Sequence, residues 1–144
     1  MNNTNRGLAL LLARAVLGLI FFMAGMYKVF QMGPLEHARK LFVEPYSDTF
    51  LPISVLWAVG TIIPIVELVA GAFIIIGFQT RCALVLLGCV LVIVTFGHLL
   101  KEPLYEFHTH VIPRLALLLF ILILPREHDC FSVDYFLMRR KKKL

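Results

Sequence analysis

The chain of 144 residues is 60% hydrophobic and 16% charged, with a formal net charge of +5 at pH 7; its mean hydropathy is +0.86 and its sequence pI about 9.4. Soluble domains average about 45–50% apolar and about 25% charged residues, so this composition excludes an ordinary water-soluble globule and points to a lipid solvent. Nucleic-acid binding is excluded as the reason for the basic balance, because no nucleic-acid-binding motif accompanies it, and a basic tail beside anionic lipid gains about 1 kcal/mol per Lys or Arg.

A bilayer span needs about 20 apolar residues at about 1.5 Å rise each. The first apolar block runs from Leu8 to Phe30. It is too long for the core of a secretory signal, about 7–15 residues, and no small-residue cleavage site follows it, so it is read as a retained transmembrane helix over 8–30. Gln31 to Pro52 is the sizeable connection. Gly33 and Pro34 stop the first helix; Leu35, Ala38, Leu41 and Phe42 then recur at helical spacing with Glu36, Arg39 and Lys40 opposite, which predicts a short interfacial helix. Glu44-Pro45 and Leu51-Pro52 break it before the second span, 53–78.

The short turn at Gln79-Thr80-Arg81 forces the third span, 82–100, to run antiparallel beside the second. A tight connection containing Pro103 leads to the fourth apolar block, Val111 to Leu124, whose span is read as 107–124 so that it reaches bilayer length. The tail, 125–144, mixes charge with Phe131, Val133, Tyr135 and Phe136 and ends in the run Arg139 to Lys143. The expectation is an all-α single domain over 1–144, an integral membrane four-transmembrane-helix bundle with a short interfacial helix in the first outer loop. Arg6, Arg81, Arg126 and the terminal run fall on one side and Arg39, Lys40 and Lys101 on the other. By the positive-inside rule both termini are cytoplasmic and the protein resides in the cell membrane.

The cysteines add little chemistry. Cys82 and Cys89 share the third span, about 10 Å apart in rise and too far to bridge, and Cys130 lies in the tail with no C-x-x-C pair.

Ionisable residues inside the spans carry the functional signal: Arg14, Lys28, Glu67, His98, His110 and Arg114. A charge among lipid tails costs at least about 2.5 kcal/mol, so such groups face the bundle interior, pair, and mark a site. Arg14, Gly18, Gly25 and Lys28 fall within a sector of about 80° on the first helix, and Gly60, Pro64, Glu67 and Gly71 form a similar stripe on the second. Counting depth from the inner boundary puts both Glu67 and Arg114 about 16 Å in, which makes them partners, with Arg14 about 9 Å in below them. His98, His108 and His110 fall in the outer half with Lys28 just above. The result is a polar column rising from Arg14 to a histidine-rich chamber.

Three readings of that column stand side by side: a structural ion-pair network, a pocket for a small polar or quinone-like ligand, and a metal or haem site on His98 and His110. The pocket would use Glu67 and the histidines as hydrogen-bonding groups beneath apolar walls. The metal reading lacks any H-x-x-E-type carboxylate motif. No residue takes a catalytic role, because neither a nucleophile and base in recognisable order nor a redox-cysteine pair is present.

The run from Arg14 through Gly18, Phe21, Ala24 and Gly25 to Lys28, followed by Glu67, Gly71, Gly77, Thr80 and Arg81, resembles the DoxX family of small membrane proteins. The tail segment Asp129-Cys-Phe-Ser132-Val-Asp134 is similar to the family's terminal G-P-G-R-x-S-x-D, without its glycines and proline. The resemblance implies a four-helix integral membrane protein, a component linked to membrane oxidoreductase or quinone processes rather than an independent enzyme. Its partners would be the bilayer and a membrane or redox protein, with a quinone as the implied cofactor in preference to haem. A more distant branch is similar to receptor-assembly chaperones, so an assembly factor binding partner helices remains an alternative reading, as does a small-solute permease.

Overall fold

The computed structural model describes residues 3–102, 107–125 and 128–141. The Pro103 connection, Arg126, Lys142 and Lys143 lie outside them, as do the side chains of His108 and Lys141. Helix α1, Asn3–Met26, passes directly into a π-helical stretch, Tyr27–Met32, and stops at Gly33, whose φ of 85° suits a residue without a Cβ. The connection that follows is helical in pieces: α2, Pro34–Ala38, a π-helical stretch, Arg39–Val43, and α3, Glu44–Tyr46. Then come α4, Ile53–Ile76, α5, Thr80–Lys101, α6, Phe107–Ile123, and α7, Val133–Lys141.

The fold is all-α among the described residues. Three helices are long and apolar enough to cross a membrane: Thr4–Met32, Ile53–Ile76 and Thr80–Lys101. Where four spans were expected, α6 is a helix of 17 residues, short of the about 20 a span requires. It still packs against α1 and α5 as the fourth rod of the bundle.

The core is aliphatic and helically spaced: Leu10, Leu17 and Phe21 of α1 meet Ile74 of α4, Leu84 and Leu87 of α5 and Leu118 of α6. The opposite faces are apolar too, with Leu12, Met23, Phe30, Ile62 and Val92 exposed. Apolar residues all round a helix suit a lipid solvent.

Helices α1 and α4 run antiparallel in backbone contact. A Cβ added to Gly25 would lie 2.5 Å from the Leu68 nitrogen, one on Gly71 2.6 Å from the Phe22 nitrogen, and one on Gly18 3.0 Å from the Gly71 oxygen. Small residues let helices approach this closely without water to drive them together. The register thus set has two consequences. Arg14 comes level with Gly77, at the very end of α4, and the turn carrying Lys28 comes level with the turns carrying Pro64 and Glu67.

The turns of α1 before Arg14 run beyond α4 and rest on the tail, where Gly7 meets the His128 carbonyl. That tail is tied back onto the bundle. Asp134 accepts from the backbone N–H groups of Gln79 at 2.8 Å and Thr80 at 2.9 Å, capping the first turn of α5 from outside the helix, while its own N–H donates to the Gly77 carbonyl at 2.9 Å. Ser132 caps α7, accepting from the Tyr135 N–H at 3.1 Å.

Candidate functional site

Proline inside α4 begins the construction of the site. Pro64 has no N–H, so the carbonyl of Gly60, one turn earlier, loses its helical donor. An unpaired carbonyl in a helix surrounded by lipid costs several kcal/mol. His37 of α2 supplies the missing bond: its Nδ1–H donates to the Gly60 oxygen at 2.7 Å. The approach is close because residue 60 is glycine, where a Cβ would lie 2.7 Å from the Ala38 Cα. The short helix is thereby seated on α4, with His37 2% exposed and Ala38 fully buried. Burial pushes the His37 imidazole below its ordinary pKa; the bond to Gly60 opposes this, the Lys28 charge adds to it and the Glu67 charge opposes it. The ring is therefore neutral at neutral pH, with the proton on Nδ1 and the lone pair on Nε2.

One turn along α4 from Pro64, the carboxylate of Glu67 accepts from the Lys28 ammonium at 2.6 Å. Glu67 is buried and Lys28 half-buried, and the contact is a short charge-assisted hydrogen bond. Lys28 and His37 line a chamber of about 420 Å³ between α4, α5 and the helical connection. Apart from Lys28, His37, Tyr46 and His98 its walls are apolar, including Phe42, Leu56 and Ile63. The rim residues Leu41, Val55, Ile93 and Phe96 are exposed on the surface of the bundle, so the mouth opens where lipid would lie. Volumes of about 300–1,000 Å³, apolar walls and a few convergent polar groups are the ordinary attributes of a small-molecule site.

The structure distributes the six candidates differently from the column expected. Lys28 and His98 line the chamber, and Glu67 meets it through Lys28. Glu67 and Arg114 do not form the expected ion pair: the carboxylate belongs to Lys28, and the Arg114 guanidinium lies over the Phe21 ring, 5.8 Å from its centroid. Depth counting failed because it gave α1 and α4 a common inner boundary, whereas α1 overshoots α4 and carries Lys28 down to the level of Glu67. His110 is exposed and does not line the chamber.

Arg14 sits at the other end of the bundle, fully buried, with Nε 3.3 Å from an Asp129 carboxylate oxygen and Nη2 donating to the Phe131 carbonyl at 3.1 Å. It holds the tail, not the chamber. Burial raises the Asp129 carboxyl above its ordinary value against the pull of Arg14.

His37 was not singled out from the sequence, although a signal for it existed. A proline inside an apolar span announces an orphaned carbonyl four residues earlier, and a histidine in the facing connection is a donor of suitable length. Among the described residues no group of three or more His, Cys, Asp or Glu side chains converges as metal ligands would.

A family model described as DoxX matches residues 9–99, a stretch that runs from α1 through the chamber-lining part of α5 and stops short of the tail. No curated protein and no solved structure matches the chain.

Proposed function

This chain belongs to the DoxX family, and from that premise we propose that it is a ligand-binding component of a membrane redox system, holding a lipid-soluble molecule with a polar head, quinone-like in class, in the chamber above Lys28 and His37. The bundle crosses the membrane four times in this reading, α6 included, with both termini cytoplasmic and the 33–52 connection at the outer interface. The observation that carries the proposal is the Lys28–Glu67 pair, its carboxylate buried and its ammonium lining an apolar chamber with an exposed apolar rim.

Each part of the geometry has a task. The carboxylate of Glu67 pairs with Lys28 and orients it in a medium that disfavours a lone ammonium. Lys28 then has donors to spare for a carbonyl or hydroxyl oxygen of the head group. The apolar walls take up the body of the ligand, and the exposed rim lets it arrive sideways from the bilayer.

The test uses the single tryptophan, Trp57, half-buried on α4 and next in sequence to the chamber-lining Leu56. In lipid nanodiscs, a short-chain alkylated benzoquinone should quench Trp57 emission saturably. Lys28→Met should weaken that saturation about tenfold, the worth of one hydrogen bond to a charged group. Quenching that rises linearly with the amount of quinone in the lipid, identical in both proteins, would remove the chamber as a binding site.

A further inference from the structure

The polar floor of the chamber is not symmetric in what it offers. The Gly60 carbonyl can only accept, so the 2.7 Å contact fixes a proton on Nδ1 of His37. The reason lies in the backbone, since Pro64 removes the donor that a regular helix would supply. The ring cannot flip to free that proton without abandoning a buried carbonyl, against which α2 packs so closely that a Cβ on Gly60 would lie 2.7 Å from the Ala38 Cα. A neutral imidazole protonated at Nδ1 carries its lone pair on Nε2. Lys28, by contrast, has donors only, one of them taken by Glu67 at 2.6 Å. Beside the Tyr46 hydroxyl and the His98 ring on its walls, the chamber therefore presents one fixed acceptor and one charged donor to whatever enters.

We infer that the chamber selects a hydroxyl-bearing apolar molecule, phenol or hydroquinone in class, over the dione of the same skeleton, because His37 Nε2 accepts a ligand O–H while Lys28 donates to a ligand oxygen. A dione brings acceptors alone. It satisfies Lys28 but sets a carbonyl against the His37 lone pair, leaving a buried acceptor unmatched. A site built to hydrogen-bond a ligand hydroxyl discriminates strongly against the analogue that lacks it. This inference rests on the chamber being a ligand site, as proposed above, and it adds the oxidation state and hydrogen-bonding class of the occupant.

The experiment compares a decyl-substituted benzoquinol with its benzoquinone under anaerobic conditions, by calorimetry on the full chain in nanodiscs. The quinol should bind at least tenfold more tightly. His37→Asn keeps an N–H donor near the Gly60 carbonyl and withdraws the acceptor from the position of Nε2, its own amide oxygen lying nearer the backbone; it should bring the two affinities within about twofold, chiefly by weakening binding of the quinol. Nitrogen NMR of the wild type, a measurement that needs no variant to fold, should show the His37 ring protonated at Nδ1 and bare at Nε2. Equal affinities, tighter quinone binding, or a ring protonated at Nε2 would overturn the inference while leaving the chamber a ligand site. Binding of neither molecule would overturn both.

Discussion

Removing one half of the Lys28–Glu67 pair should be far more damaging than removing both. At the 2.6 Å separation and an effective dielectric of about 20, the attraction is on the order of 6 kcal/mol. Desolvation offsets much of it, since the Glu67 side chain is only 7% exposed, although the Lys28 side chain at 24% keeps some contact with the chamber. Net coupling of about 2–3 kcal/mol should remain, and stranding one charge should cost about 3 kcal/mol. Glu67→Leu, Lys28→Leu and the double variant, unfolded reversibly in mixed micelles, form the cycle. The double variant should be more stable than the sum of the single losses by the coupling energy. Glu67→Leu combined with Arg114→Leu should show no such recovery, because Arg114 faces the Phe21 ring instead. Single losses that add within about 0.5 kcal/mol, or a recovery found with Arg114 in place of Lys28, would refute the pairing.

Other consequences of the structure are open to measurement. Gly25→Leu should separate α1 from α4, since even a Cβ there would press on the Leu68 backbone; overpacking of this kind costs about 1–3 kcal/mol and should lower the thermal midpoint in detergent. Gly77→Ala combines a φ of 71° with a Cβ directed at the Arg14 guanidinium and Ser132, so it should release the tail, seen as faster proteolysis after Pro125. Asp134→Ala removes the cap on α5 and should cost about 1 kcal/mol, with faster hydrogen exchange at the Gln79 and Thr80 amides as the local signature. The His37 ring has a folded pKa below its ordinary value of 6.5. As pH falls below 6.5 the unfolded chain takes up a proton that the folded chain refuses, so stability should fall until the lower folded value is passed. His37→Asn should abolish that slope, measured as unfolding free energy from pH 7.5 to 5.

Hydropathy and turn chemistry read much of the helical order directly. The second and third apolar blocks became α4 and α5 with ends shifted by a turn or less; α4 stops at Ile76 because Gly77 adopts the left-handed cap and Gln79 follows at φ 44°. The beginning of α1 was not legible, because residues 3–7 precede the apolar block, and the packing of Gly7 on the tail is a contact that local pattern does not record. Nor was the length of α6 a matter of composition alone, its block being apolar yet too short by itself. At the site, the buried cost of charge singled out Glu67 and Lys28, but their pairing depended on the register of two helices. That register is set where Gly18, Gly25 and Gly71 let backbones touch, a three-dimensional consequence of residues noticed only as a stripe. His37 escaped because its importance begins with a proline on another helix.

The most direct measurement is chemical identification of what the protein carries out of its own membrane. The full chain, purified in nanodiscs formed from native lipid and extracted into organic solvent, should yield an apolar molecule with a hydroxyl-bearing head in near-equal amount to protein. Val59→Trp, which fills the chamber from its α4 wall, should lose that molecule while keeping its helical content. A wild-type extract holding only bulk lipid, or a filled variant that retains the molecule undiminished, would contradict the account.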